Sequence, residues 1–319
     1  MKKSLPIFFI LFFIFFSCKK IEKEVVIDDA VKTYLTGILD KMKLNSLNRN
    51  QINWEDFYNN VFEKARTAKN IYAQQVTEAI SLALTQLNDS GHSYFITNSG
   101  SFIVGSGRND CPAVSIGTFS IPNNIGYVKV GSFSGSGNVA NSFAEQLQND
   151  IKKQDKASLI GWIVDLRGNT GGNMWPMISG LGPLIGNGVI GYFIDNEGNT
   201  LPWELVNGIT SGVAVNIPYK LINQKIKIAV LTDQATASSG EATAIAFKGL
   251  ENAKSFGTNT CGISTAVQGF SFLDGSTLGL VVSNMADKNK KIYGKVVIPD
   301  VVEPDPQKQI QKASAWILE

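Results

Sequence analysis

The chain has 319 residues, 44% of them apolar, which is longer than one ordinary domain and ample for a large core. Only 18% are charged, which excludes a long solvating or disordered tract. The formal charge of +2 rests on Lys2 and Lys3, so residues 18–319 are neutral and offer no basic stripe to a nucleic acid.

The first twenty residues read MKKSLPIFFILFFIFFSCKK: two lysines, an apolar run from Leu5 to Phe16, then Ser17 and Cys18. Charge and length are those of a secretory signal, and the run is too short and too abruptly ended for a comfortable membrane span. The small residue directly before Cys18 resembles a bacterial lipoprotein signal. That resemblance implies cleavage after residue 17 and a lipid on Cys18. It makes the chain an exported, membrane-attached lipoprotein of the bacterial cell envelope, on the periplasmic face or at the outer membrane. An ordinary cleaved signal and an uncleaved anchor are the alternatives. Residues 18–29 then form a short charged linker.

From Ala30 to Leu87 apolar residues recur at helical spacing, in AVKTYLTGILDKM and again in YAQQVTEAISLALTQL. Between them NQINWEDFYNNVFEKA predicts a third helix, with Asn53 as the cap before Trp54. The pattern breaks in NDSGHSYF, which closes a helical N-terminal subdomain over residues 30–95. A larger α/β domain is expected over residues 96–319. There NIGYVKVGSF alternates as a strand, VANSFAEQLQNDIKKQ is an amphipathic helix, and SLIGWIVDLRG is a strand apolar enough to be buried on both faces. A helix near MWPMISGLGPLIG, the strand KIKIAVLTD, the helix EATAIAFKGL and late strands around TLGLVVSNMAD follow.

Two of these strands end in unusual turns. VDLRGNTGGN places Asp165, Arg167, Gly168, Asn169, Gly171 and Gly172 just past an apolar strand. Clustered glycines let successive backbone N–H groups point into one site, as a developing oxyanion requires. In DQATASSGE, Ser238 stands at a strand-to-helix junction, where the helix dipole favours negative charge. Ser238 and Glu241 also have the spacing of a capping box, a structural role compatible with a chemical one. Open sheets bind ligands beyond the carboxyl ends of their strands, so both turns should face one crevice. A lone histidine is more often structural than chemical, but the only one here, His92, lies in a polar Gly-flanked turn rather than an apolar stripe, which makes it a candidate base. Cys111 and Cys261 make no metal-binding pattern; whether they pair is left open. No metal site and no cofactor are expected.

DLRGNTGG followed by TASSGEA resembles the S41 peptidases, the tail-specific or C-terminal-processing proteases and their tricorn-like relatives. The resemblance extends from the N-terminal helices to VIPDVVEPD. It implies a ClpP/crotonase-like α/β core of β-β-α units and cleavage of peptide bonds in peptides or unfolded proteins. Matched to the family pattern, Ser238 is the nucleophile, and the backbone N–H groups of Gly168 and Ser239 form the oxyanion hole. The processing-protease branch takes its base from a lysine, but Ile263 occupies that place here. The tricorn-like branch uses a histidine from an upstream turn, which maps to His92. That branch orients the histidine with a serine just before it, replaced here by Gly91, and with a late glutamate. No glutamate is in register; Asp287 and Asp300 are the acids on offer. The stretch from Phe95 to Asn124 has room for a few strands but not for the PDZ module of the processing proteases.

The main rival is a lipid-anchored protein that grips peptides on the same scaffold without cutting them. The missing lysine and the unplaced acid favour it; the retained serine, glycines and histidine oppose it. An acyl-CoA enzyme on the related crotonase core is a weaker third reading. The chain has no G-x-G-x-x-G, no Walker lysine and no H-E-x-x-H. Thr236 also stands where the nucleophile elbow of an α/β-hydrolase needs glycine.

Overall fold

The computed structural model describes residues 27–113 and 115–319; Cys18, the signal and most of the linker lie outside the described residues. Three helices come first, α1 (Asp29–Asn45), α2 (Trp54–Ala65) and α3 (Gln74–Gln86). Asp28 starts α1 by accepting the N–H groups of Ala30 and Val31, and Asn53 starts α2 by accepting that of Glu55. Val31, Leu35, Ile38, Leu39 and Met42 form the buried stripe of α1 at three- and four-residue spacing.

A short hairpin, β1 (Tyr94–Ile96) and β2 (Phe102–Val104), leads into irregular chain, and no helix or strand occurs among the described residues of 105–124. Next, β3 (Ile125–Lys129), α4 (Gly137–Gln154) and β4 (Gly161–Asp165) make the expected βαβ unit. They are followed by α5 (Met174–Gly180), α6 (Gly182–Ile185), a hairpin of β5 (Gly188–Ile194) and β6 (Thr200–Leu205), and a small one of β7 (Ile209–Thr210) and β8 (Val213–Ala214). The strand β9 (Lys227–Thr232), the helix α7 (Ser239–Phe247) and β10 (Ala253–Gly257) precede the long pair β11 (Thr265–Ser271) and β12 (Thr277–Asp287). The chain ends in β13 (Val301–Val302) and α8 (Pro306–Leu318).

Two sheets organise the α/β core. The parallel sheet runs β13-β10-β9-β4-β3. All of β4 is buried because both faces are covered. Trp162, Val164, Ile228 and Val230 pack on one side against apolar residues of α5 and α7. Ile163, Ala229 and Leu231 pack on the other against Ile310, Ala313 and Ile317 of α8. The antiparallel sheet runs β2-β1-β12-β5-β6, with β11 on the opposite edge of β12. Helices α1 to α3 share one core with Phe95, Ile103, Leu278 and Leu280 of this sheet, so burial of the helices is what fixes β1 and the turn before it. The α/β class expected from the sequence is the class the structure has. Among the described residues, no helix is long and apolar enough to cross a membrane.

Candidate active site

The turn after β9 delivers Ser238 to the head of α7 with φ 50° and ψ −114°. A non-glycine residue rarely adopts such a backbone, and the surroundings hold it there. Ala237 N–H donates to Asn169 O at 2.9 Å, and Ser238 N–H donates to Glu241 Oε2 at 2.8 Å, which closes the capping box. Gly171 lies directly beneath; a Cβ there would come within 2.9 Å of both Ala237 O and Ser238 Cβ. Only glycine lets the two turns approach this closely.

Glu241 is fully buried and accepts from four donors: Ser238 N–H, Gly262 N–H, Ile263 N–H and the Thr260 hydroxyl. Burial pushes its carboxyl up to about 7, yet every partner is a donor, so the hydrogen-bond pattern is that of the carboxylate. Glu241 thereby ties the Ser238 backbone to the loop that leads into β11.

The second turn follows β4. Arg167 is buried and turns to α8: its guanidinium grips Asp165 in two bonds and donates to Pro306 O and Gln309 Oε1. Gly168 does not offer its N–H to the crevice, contrary to expectation. That N–H donates to Asp233 Oδ1 at 2.9 Å, and the same oxygen accepts from Ala235 and Thr236 N–H at 3.0 Å each. Gly171 N–H is likewise engaged, on Asn169 Oδ1. The backbone N–H groups of Gly172 and Ser239 have no acceptor among the described residues, and both residues line the crevice beside Ser238. Ser239 Oγ donates to Gly172 O at 2.6 Å, which holds those two segments together.

His92 reaches this point from 146 positions away in sequence. Its Nε2 lies 3.1 Å from Ser238 Oγ, and its Nδ1 lies 2.7 Å from Thr265 Oγ1. Neither acid considered from sequence reaches the ring. Asp287 closes a turn with Asn289, Lys291 and Tyr293, and Asp300 binds Lys248 and Ser255. Burial, with the nearby positive charge of Arg108 as second cause, lowers the His92 pKa from 6.5 to about 4. Gly91 also has a local reason to be glycine, since a Cβ there would sit 2.5 Å from Arg108 Cα.

The crevice over Ser238 holds about 500 Å³, and much of its wall is apolar, with Tyr94, Met174, Trp175, Phe193, Val267 and Met285 around His92 and Gly172. Ile263 is buried with Ala237 against a disulfide. That disulfide answers the open question: Cys111 and Cys261 are paired, with Cα atoms 5.2 Å apart. Among the described residues, no group of His, Cys, Asp and Glu could hold a metal ion.

The chain is similar to several known proteins. The chain is 35% identical over 201 residues to a nisin-resistance protein of Lactococcus lactis subsp. lactis, a match that covers 62% of this chain and 61% of that protein. It is 28% identical over 195 residues to the carboxy-terminal processing protease CtpA of Bacillus subtilis (strain 168), covering 61% of this chain and 38% of the other. Thus the chain spans less than two thirds of the length of these relatives. The fold is similar to that of a lipoprotein from Streptococcus agalactiae, with a TM-score of 0.71, 24% identity, and coverage of 92% of this chain and 97% of that one. The sequence pattern of peptidase family S41 matches residues 124–303, more than half of the chain and inclusive of both turns around Ser238. By that match the chain belongs to peptidase family S41.

Proposed function

We propose that the chain is a lipid-anchored, exported serine peptidase that hydrolyses peptide bonds with Ser238 as nucleophile and His92 as base. The observation that carries this reading is the 3.1 Å approach of His92 Nε2 to Ser238 Oγ at the head of a helix. In the reaction, Ser238 Oγ bonds to the scissile carbonyl carbon while its proton passes to His92 Nε2. The carbonyl oxygen becomes an oxyanion beside the free N–H groups of Gly172 and Ser239. Collapse breaks the C–N bond, and His92 returns the proton to the leaving amine. A water then gives its proton to the same nitrogen and bonds to the acyl carbon; the bond from that carbon to Ser238 Oγ breaks, and His92 returns the proton to Oγ.

The apolar crevice favours substrates with a large apolar side chain next to the scissile bond. Membership of family S41 supports peptides or proteins as substrates, and the likeness to a nisin-resistance protein makes nisin one of the first peptides to assay. Anchoring through Cys18 rests on the signal sequence, and the likeness in fold to a lipoprotein agrees with it.

The test is labelling of residues 19–319 with a fluorophosphonate, beside Ser238→Ala and His92→Ala. Labelling of the parent, lost in both variants, is expected. A folded parent that stays unlabelled, and binds peptides without cleaving them, would replace this reading with a non-cleaving peptide binder.

A further inference from the structure

Among the described residues no carboxylate bonds to the His92 ring, so something else has to fix it. We propose that Thr265 is the positioning residue of the Ser238–His92 pair, its hydroxyl accepting the Nδ1 proton of the imidazole. The proposal rests on the peptidase reading for its catalytic meaning, and on geometry for its substance.

Thr265 is well suited to hold a ring. It is the first residue of β11, buried, and paired with Asn284 of β12. Its own N–H donates to Ile263 O at 2.8 Å, and its branched Cβ restricts the side chain's rotation. Two residues earlier, Ile263 N–H donates to Glu241 Oε2, the oxygen that also accepts Ser238 N–H. Glu241 therefore sets the nucleophile and the segment carrying Thr265 in one frame.

The chemistry of a hydroxyl in this position differs from that of a carboxylate. Nε2 can take a proton from Ser238 only when the resting proton sits on Nδ1, and Nδ1–H donating to Thr265 Oγ1 is that tautomer. Thr265 adds no negative charge, so the ring is oriented without its protonated form being favoured. The charged groups around it do not supply that charge. Arg108 opposes protonation. The Asp89 carboxyl of its own turn is bonded to Ser93 Oγ, and Glu241 is occupied by its four donors behind Ser238. A base of this kind stays unprotonated in mildly acidic surroundings, at the expense of basicity.

Because the chain has one histidine, ¹⁵N-histidine labelling of residues 19–319 gives a single pair of ring nitrogens, readable by NMR without turnover. The parent and Thr265→Ser should carry the proton on Nδ1 at pH 7. Thr265→Val should shift the population toward Nε2–H, and Thr265→Asp should raise the ring's titration midpoint by about a unit or more. In peptide hydrolysis, Thr265→Val should lower kcat roughly ten- to a hundredfold with KM within about twofold, and Thr265→Ser should restore most of it. An Nε2–H parent, or an Nδ1–H population unmoved by Thr265→Val, would overturn the proposal. If the tautomer responds as expected but the parent takes no fluorophosphonate, Thr265 positions the ring and it is the peptidase reading that falls.

Discussion

Gly168 N–H and Asp233 Oδ1, 2.9 Å apart, join the turn after β4 to the turn after β9. The same carboxylate oxygen accepts from Ala235 and Thr236, so one buried acid determines how the glycine turn meets the turn that carries Ser238. Asp233→Ala leaves three N–H groups without their acceptor. It should destabilise the fold by about 3 kcal/mol or more and slow fluorophosphonate labelling more than tenfold. Asp233→Asn keeps an oxygen in place and should cost about 1 kcal/mol. Denaturant unfolding of the two variants checks this; equal stability of Ala and Asn would remove Asp233 from the role.

The backbone at Ser238 implies a conflict between stability and chemistry. At φ 50° and ψ −114° a side chain is strained, by about 1–3 kcal/mol, and glycine is not. Ser238→Gly should be more stable than Ser238→Ala by about 1 kcal/mol, after allowing for glycine's greater freedom when unfolded. Neither variant should react with the probe. Thermal unfolding of both proteins decides it, and an Ala variant as stable as the Gly variant would mean that the turn is not strained.

Much of this arrangement is readable from the residues, and the limits have physical causes. The βαβ unit, the three N-terminal helices and the Asn53 cap follow from periodicity and capping chemistry, which act within a few residues. The meeting of His92 with Ser238 is expected from the chain's having one histidine and from family resemblance, because no local signal spans 146 positions. Which glycine N–H stays free was not legible, since it depends on the path of the turn and on Asp233. Asp233 itself looks like any aspartate after a strand. Thr265 is likewise indistinguishable from an ordinary strand threonine until its hydroxyl is seen against the ring. The helix α8 is a different case. Asp305 as cap, Pro306 in the first turn, and Ile310, Ala313 and Ile317 on one face are signals present in the sequence and not read there.

The Cys111–Cys261 disulfide closes the chain over a separation of 150 residues. Its two ends are also held by Asn109, which donates to Cys261 O, and by Cys261 N–H, which donates to Thr236 O. Replacing both cysteines by serine should lower stability by about 2–5 kcal/mol while leaving a folded protein, because the cores on either side do not depend on the sulfurs. Unfolding curves of parent, reduced parent and double variant test this. If reduction leaves the midpoint of the parent unchanged, the bond contributes nothing.

His92 also links stability to pH, with a definite sign. Its pKa is about 4 in the fold and 6.5 when exposed, so between these values the unfolded chain binds more protons than the folded one. Stability from this group is complete above about pH 6.5 and is lost as pH falls toward about 4, by about 3 kcal/mol in total. Glu241, with its carboxyl raised by burial, acts in the opposite direction over part of that range, so the parent's own curve mixes the two. The clean quantity is the difference between parent and His92→Gln, in which Glu241 is common to both. Urea unfolding at pH 7.5 and pH 4.5 should show the parent losing about 2–3 kcal/mol more than His92→Gln between the two conditions. Parallel losses in the two proteins would mean that the imidazole is hydrated in the folded state, and a base so exposed could not be one that burial and Arg108 keep uncharged.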